Sequence, residues 1–408
     1  MTTRRGWVSS PNERGTMDII WSCVSTLFIC LWSMLHLNVP SKKDSFWTIV
    51  WRKARWLLLG ILAPEVPMLF ACGQWASAKR SVNDMRKLGF SDAEWSLEHA
   101  WYADSGGFEL QPLEGEPLPI TARQVWYLLE NGFISLPSIS KKEIWDKSNA
   151  DKVTKFLAYF QTAWLVTQTV GRAIQHLAIT PLELASIALA LTSLTTLGFW
   201  MHKPLDVGTA TTLHTDRSIR DILEHAGEIF LADFTNTPLD FIEPRIYVSR
   251  KCGSALLNWI LHRGLQTRPI ERIPDDRDPQ LYNIYQRITL GIATASFASI
   301  HLAGWNFGFD TTWEMWLWRS NCLIMWGLLA TFGTTEVIIC CRDNFQSMGM
   351  DTLGGYKLRW PACLWFVIPG GLYVMARACL IFEVLFSMRS LPQEAFVEVQ
   401  WSAMLPHI

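Results

Sequence analysis

Two apolar segments, Ile288 to Asn306 and Ser320 to Cys341, flank the stretch HLAGWNFGFDTTWEMWLWR. Each is long enough to cross about 30 Å of hydrocarbon as a helix. In lipid every backbone N–H and C=O must find its partner within the chain, so such segments cannot be loops or open strands. The polar residues between them, His301, Trp305, Asn306, Asp310, Glu314 and Arg319, are therefore expected at one membrane face.

Five further apolar blocks run from Met17 to Val39, Trp56 to Trp75, Phe156 to Gly171, Thr180 to Trp200 and Pro361 to Met388. The expected fold is all-α, a polytopic membrane helix bundle of about seven spans (six to eight), with two helical extramembrane subdomains. Half of the residues are hydrophobic and only 18% are charged, and the apolar ones come in blocks rather than at core spacing. Many of the 22 Trp fall at block ends (Trp56, Trp75, Trp200, Trp305, Trp318, Trp360), as an aromatic interface belt would require. Arg4, Arg5 and Arg14 precede the first block, but Met17 to Val39 is too long for a signal-peptide core and lacks a small-residue cleavage site, so a retained span is expected.

The chain divides into residues 1–75 (N-terminal segment and spans 1 and 2), 76–155 (extramembrane), 156–200 (spans 3 and 4), 201–287 (a second extramembrane subdomain), 288–388 (spans 5 to 7) and a 389–408 tail. Ser91/Glu94, Thr121/Gln124, Ser140/Glu143, Thr180/Glu183 and Thr311/Glu314 have capping-box spacing, and Ser10-Pro11-Asn12-Glu13 also looks like a helix start. Asp104-Ser-Gly-Gly107 reads as a turn, and helices are expected near 217–230 and 255–264. Seven crossings would put both large polar regions on the N-terminal side. The 1–2 connection, the Arg172–Thr180 turn, the 301–319 turn and the C-terminus would then gather on the opposite face.

Ionisable groups inside spans are costly and are candidates for function by default. Glu65, flanked by Pro64 and Pro67 in APEVP, and Arg377 are the deepest, and mutual pairing is an equally good account of them. His36, Arg172, His176, His301, Glu314 and Arg319 form a second group, expected together at the face away from the large loops. The candidate catalytic set is Glu65, His301, Arg377, Arg319, His36 and His176. Their chemistry is proton transfer by carboxyl or imidazole with an Arg to hold negative charge. No metal or other cofactor is expected: the His residues come singly, and no diiron, H-E-x-x-H or N-x-x-x-D-x-x-x-D pattern occurs. Asp275-Asp276-x-Asp278 lies beside Arg272 and Arg277 and is expected to be a solvated loop. Net charge near zero gives no reason to expect a nucleic-acid partner. Eight of nine Cys lie in apolar blocks, which argues against a disulfide framework.

With RGTMDIIWSC, HLNVP, APEVP, TPLEL, KPLDV and the closing WSAMLPHI, the chain resembles a family of fungal multi-pass membrane proteins whose activity is unsettled. That resemblance implies a fungal membrane location and transfers no catalytic residue. The residues themselves point to an intramembrane enzyme, metal-independent and of cyclase or isomerase type, acting on a lipophilic small molecule such as a terpenoid or meroterpenoid. The other possibility is a small-molecule or proton-coupled transporter. The expected partner is the lipid bilayer, most naturally that of the endoplasmic reticulum, with the plasma membrane as the alternative.

Overall fold

A computed structural model describes residues 4–10, 14–148, 151–227, 234, 236–243, 269–277, 284–345 and 360–401. The expected helix at 255–264, residues 228–230, Asp278, Pro11 to Glu13 and all but the first residue of WSAMLPHI lie outside these. The elements, in order, are β1 (Arg4–Arg5), α1 (Thr16–Met34), α2 (Phe46–Leu62), α3 (Glu65–Lys87), α4 (Leu97–Asp104), β2 (Phe108–Gln111), β3 (Leu118–Ile120), α5 (Ala122–Glu130), α6 (Lys141–Asp146), α7 (Asp151–Ile174), α8 (Pro181–Phe199), β4 (Thr211–His214), α9 (Ile219–His225), α10 (Ile284–Leu302), α11 (Thr312–Phe345), α12 (Trp360–Phe386) and β5 (Leu391–Pro392).

Among the described residues, four helical stretches are long and apolar enough to cross a membrane: Thr16–Met34, Pro181–Phe199, Tyr285–Asn306 and Ile368–Arg389. The pair α2 and α3 passes the same test jointly but is bent by 111° at its break, which makes five at most. The molecule is mostly helical, as expected, and its apolar helices are compatible with a membrane protein. Large apolar side chains stay exposed along them, among them Trp21, Phe28, Trp51, Phe160 and Phe382. An exposed apolar surface of this extent needs a non-aqueous neighbour.

α8 is the axis of the bundle. Two thirds of its apolar window is buried, and it packs on α1, α3, α7 and α10. Its sequence explains this, because Ala, Ser, Thr and Gly dominate PLELASIALALTSLTTLGF and small side chains let helix backbones approach closely. Its start is the expected capping box: Thr180 N donates to Glu183 Oε2 (2.9 Å), and Glu183 N donates to Thr180 Oγ1 (3.2 Å). Thr121/Gln124 and Ser140/Glu143 cap α5 and α6 in the same way, and Thr311 and Glu314 cap α11. Ser91/Glu94 closes a turn instead, and α4 begins five residues later with Ser96 and His99.

The prolines of APEVP break the chain rather than kink one helix. Pro64 and Pro67 sit at the N-cap and in the first turn of α3, where backbone donors have no intrahelical acceptor. α2 therefore ends at Leu62 and α3 turns back. Lys43 pairs with Glu271 just before α2, while Gln74 on α3 meets Trp200 and Lys203, so both outer ends of the pair lie at the same end of the bundle.

This return corrects the expected sidedness. The N-terminus lies at the far end, away from the polar regions: β1 pairs with β5, Arg14 N donates to Phe396 O, and Arg14 bonds Glu183 at 2.6 Å. The 1–2 connection instead joins the polar regions, with Val39 N donating to Ser105 O (2.9 Å). Reading residues 56–75 as one straight helix inverted everything upstream of it, because the chain bends by 111° there.

The polar regions before α7 and after α8, expected as two purely helical subdomains, instead share one sheet of order β3-β2-β4, because β4 from the second region pairs beside β2 of the first. β2 runs antiparallel to β3 and parallel to β4, and the connection from β2 to β4 contains the α7–α8 pair. Trp95, Trp101, Tyr102, Phe108, Ile120, Leu128, Ile222 and Leu239 form their common core. The expected turn at 104–107 is present: Gly106 has φ +85°, and a Cβ on Gly107 would lie 2.5 Å from the Tyr102 ring. The Trp residues divide differently from the expected belt, because Trp56, Trp200 and Trp318 are core residues, 2%, 2% and 0% exposed.

Candidate functional site

Three of the sequence candidates, Glu65, His301 and Arg377, converge inside the bundle, and Tyr373 joins them. Glu65 is the first residue of α3, so its carboxylate sits at the positive end of that helix. Arg377 approaches from α12 and donates through Nη2 to Ile61 O (3.1 Å), a carbonyl in the last turn of α2. The helix break thus exposes one helix start and one helix end, and each receives the charge that its dipole favours.

Arg377 Nη1 lies 3.1 Å from His301 Nε2, and His301 Nδ1 lies 3.0 Å from Phe297 O. A carbonyl can only accept, so Nδ1 carries the proton; guanidinium can only donate, so Nε2 accepts from Arg377. The imidazole is therefore neutral in this arrangement. Phe297 lies under the guanidinium with 4.8 Å between Arg377 Cζ and the ring centroid, and Cys322 Sγ donates to His301 O (3.7 Å). The Tyr373 hydroxyl, one helical turn before Arg377, donates to Glu65 Oε1. No ion pair within 4 Å joins Glu65 to Arg377 among the described residues, although the two opposite charges still attract one another across the site.

His301, Arg377 and Tyr373 are buried, at 0%, 1% and 6% exposure. Glu65 is half-buried as a residue, with its Oε2 fully covered. Tyr373 engages Glu65 Oε1, and His301 and Ile61 engage the two Nη atoms of Arg377. These contacts leave Glu65 Oε2 and Arg377 Nε without protein partners, together with Trp318 Nε1. A buried carboxylate oxygen and a buried guanidinium N–H in one apolar setting form a pair of sites for a proton and for negative charge.

The other candidates lie elsewhere. Arg319 donates to Trp305 O (3.0 Å) and stacks on Trp305 at 5.0 Å, which holds the short 3₁₀ turn Ala303–Asn306. His36 is at the opposite end, with Nδ1 3.1 Å from Met34 O and its ring 5.9 Å from Trp200. His176 is exposed with φ 54° and ends the turn after α7. Arg172 donates to the carbonyls of Ala178, Glu394, Ala395 and Val397 and so fastens the C-terminal tail. Glu314 bonds Arg389 at 2.6 Å. The expected single-face group is thus split between the two ends, because α2 and α3 are bent by 111° at their break and the 1–2 connection joins the polar regions.

A second polar cluster, formed by residues for which no functional role was expected, lies where the bundle meets the sheet domain. Lys203 Nζ, 2% exposed as a residue, donates to Asn38 Oδ1 (2.9 Å) and Gln74 Oε1 (3.1 Å) between the rings of Trp101 and Trp200. Asn38 N donates to Asp275 Oδ1 (2.7 Å), and Arg52 Nη2 to Asn38 O (2.9 Å). HLNVP and KPLDV therefore meet through Asn38 and Lys203. Burial pushes the Lys203 ammonium down to about 7, against the opposing pull of Asp275 and Asp104. Burial acts to raise the Asp275 carboxyl, but Arg52 and Arg272 outweigh it and hold the group below its ordinary value. The solvated loop expected around Asp275 and Asp276 is corrected here: the two are 6% and 0% exposed, because the Arg52 and Arg272 side chains draw the run inward.

Among the described residues no three His, Cys, Asp or Glu side chains gather closely enough to hold a metal ion. A model of the family described as a family of unknown function (DUF8562) matches residues 1–225. No curated protein and no solved structure matches the chain.

Proposed function

The chain belongs to this family of unknown function, so no activity comes with membership, and we propose that it is a multi-pass membrane enzyme performing acid–base chemistry on a lipophilic small molecule. The observation that carries this reading is the convergence of Glu65, Tyr373, Arg377 and His301 at the break of a returning helix pair, with Glu65 Oε2 and Arg377 Nε unpartnered. Glu65 is the proton-transfer group. Tyr373 orients its carboxyl. Arg377, held by His301 and by the end of α2, offers positive charge to an anionic group as it develops.

In the membrane arrangement that goes with this reading the four apolar stretches in α1, α8, α10 and α12 cross together with the less apolar α7 and α11 that pack against them, six crossings in all, with α2 and α3 entering and leaving on one side. That is one fewer than the sequence expectation of about seven, because segment 56–75 returns. Both termini then share a face opposite the sheet domain. The proposed location is a fungal endomembrane, the endoplasmic reticulum before the plasma membrane. The proposed substrate class is terpenoid or meroterpenoid, protonated and deprotonated without redox change.

One observation favours a second reading, a proton-coupled carrier. A broken helix with an ionisable group at its break is also how transporters build midplane sites. Two measurements separate the readings. Yeast expressing the protein is fed candidate isoprenoids and its extracts are profiled, with Glu65→Gln as control; vesicles holding the protein are assayed for uptake of the same compounds. New products that vanish in Glu65→Gln support the enzyme. Uptake that depends on Glu65 with no new product supports the carrier and refutes the enzyme.

A further inference from the structure

Away from the Glu65 site, a small chamber lies between the sheet domain and the bundle. Its walls are Asn38, Gln74, Trp101, Asp104, Ser105 and Arg277, and it has room of about 10 Å³ for the centre of a water molecule. Two of these walls carry polar atoms that nothing in the protein satisfies: Trp101 Nε1 and Ser105 Oγ, on residues 1% and 4% exposed. Leaving such groups unmet in the interior is costly, because they lose their water partners and gain none.

The chemistry of the wall restricts the occupant. Indole N–H only donates, so the occupant must accept a hydrogen bond. The Asp104 carboxylate, which accepts from Ser77 Oγ (2.8 Å) and Ala122 N (3.2 Å), is in the same wall and repels an anion. Arg277, 3.5 Å from Asp104, repels a cation. The side chains of Asn38 and Gln74 are already engaged by Lys203 and by the 273–275 backbone. What remains is a neutral group of one heavy atom that both accepts and donates. The space is that of a single water, which needs two or more polar partners and finds them here.

We propose that this chamber is a binding site for one structural water, which accepts from Trp101 Nε1–H and exchanges a hydrogen bond with Ser105 Oγ, filling the space between the C-terminal turn of α4 and the 273–277 loop. The water completes the polar layer that Lys203 begins on the other side of Asn38 and Gln74, and it keeps Trp101 fixed beneath the Lys203 ammonium. The site is independent of the proposed reaction at Glu65.

The test is an experimental structure of the full chain in lipid or detergent at a resolution that shows ordered water, for wild type, Ser105→Ala and the Trp101→Phe/Ser105→Ala double variant. The wild type is expected to show one peak within hydrogen-bond distance of Trp101 Nε1 and Ser105 Oγ. Ser105→Ala is expected to keep a weaker peak on Trp101, and the double variant to lose it. A dry chamber in wild type, or an undiminished peak in the double variant, overturns the proposal. Should the double variant fail to fold, wild type and Ser105→Ala still decide: a dry wild-type chamber, or a peak in Ser105→Ala as strong as in wild type, overturns it.

Discussion

The Tyr373 hydroxyl donates to Glu65 Oε1, joining residues 308 positions apart in the chain. The bond runs from the middle of the last long helix to the first residue of α3, so it ties the helix break to the far side of the bundle. Tyr373→Phe keeps the ring and removes the donor. A hydrogen bond to a charged group contributes about 1.5–3 kcal/mol, and thermal unfolding in detergent is expected to show a loss of that size. Glu65→Gln, which keeps an acceptor for Tyr373, is expected to lose less. Equal losses in the two variants would mean that the bond is not what holds the break.

Arg377 has a larger structural share. Arg377→Met strips the donor from His301 Nε2 and from Ile61 O at once, leaving two buried acceptors without partners. Removing one member of a buried polar pair typically costs about 3–5 kcal/mol. His301→Leu together with Arg377→Met is expected to be less destabilising than the sum of the single changes, and a double-mutant cycle by chemical unfolding measures that coupling.

Lys203 predicts a pH dependence. Its folded-state value, about 7, lies below the ordinary 10.5, so the unfolded chain binds more protons between those two values. Stability attributable to this group therefore rises as pH increases from about 7 towards 10.5, and below pH 7 the cost of burying the ammonium is present in full. Thermal midpoints of wild type minus Lys203→Met are expected to climb from pH 7 to pH 9. A flat difference would show that the ammonium is not desolvated.

Arg172 is expected to matter for the tail rather than for chemistry. Arg172→Met removes its hydrogen bonds to the carbonyls of Glu394, Ala395 and Val397. Limited proteolysis should then cut after residue 390 several-fold faster than in wild type, with any product profile unchanged. A lost product profile with an intact tail would return Arg172 to the functional candidates.

Gly304 tests the turn between α10 and α11. A Cβ there would lie 2.9 Å from Phe307 Cε2, 3.0 Å from Trp318 Cζ2 and 3.1 Å from Leu184 Cδ2. Gly304→Ala is expected to cost about 1–3 kcal/mol, as overpacking of a well-filled core does. The thermal midpoint reads this directly.

Glu65, His301 and Arg377 were legible because an ionisable side chain amid apolar residues is visible in one dimension. Tyr373 was not, although it stands one helical turn before Arg377: a tyrosine in an apolar helix carries no mark until its partner is known. Lys203 and Asp275 escaped for the opposite reason. Their neighbours in sequence are polar, so nothing local distinguishes an inward-facing charge from a solvated one.

The amino-acid order by itself determined most of the long helices, most of their caps and the apolar lengths, since these depend on residues within one or two turns of each other; the start of α2 at Phe46 and the separation of α3 from it were not among them. Tertiary structure decided where the two arms of the 56–75 block lead, because a proline-rich break allows either direction, and the contacts of Lys43 with Glu271 and of Gln74 with Trp200 and Lys203 bring both outer ends to one end of the bundle. From that one choice follow the side on which the N-terminus lies, the separation of His36 from the 301–319 turn, and the meeting of Glu65 with Tyr373 and Arg377.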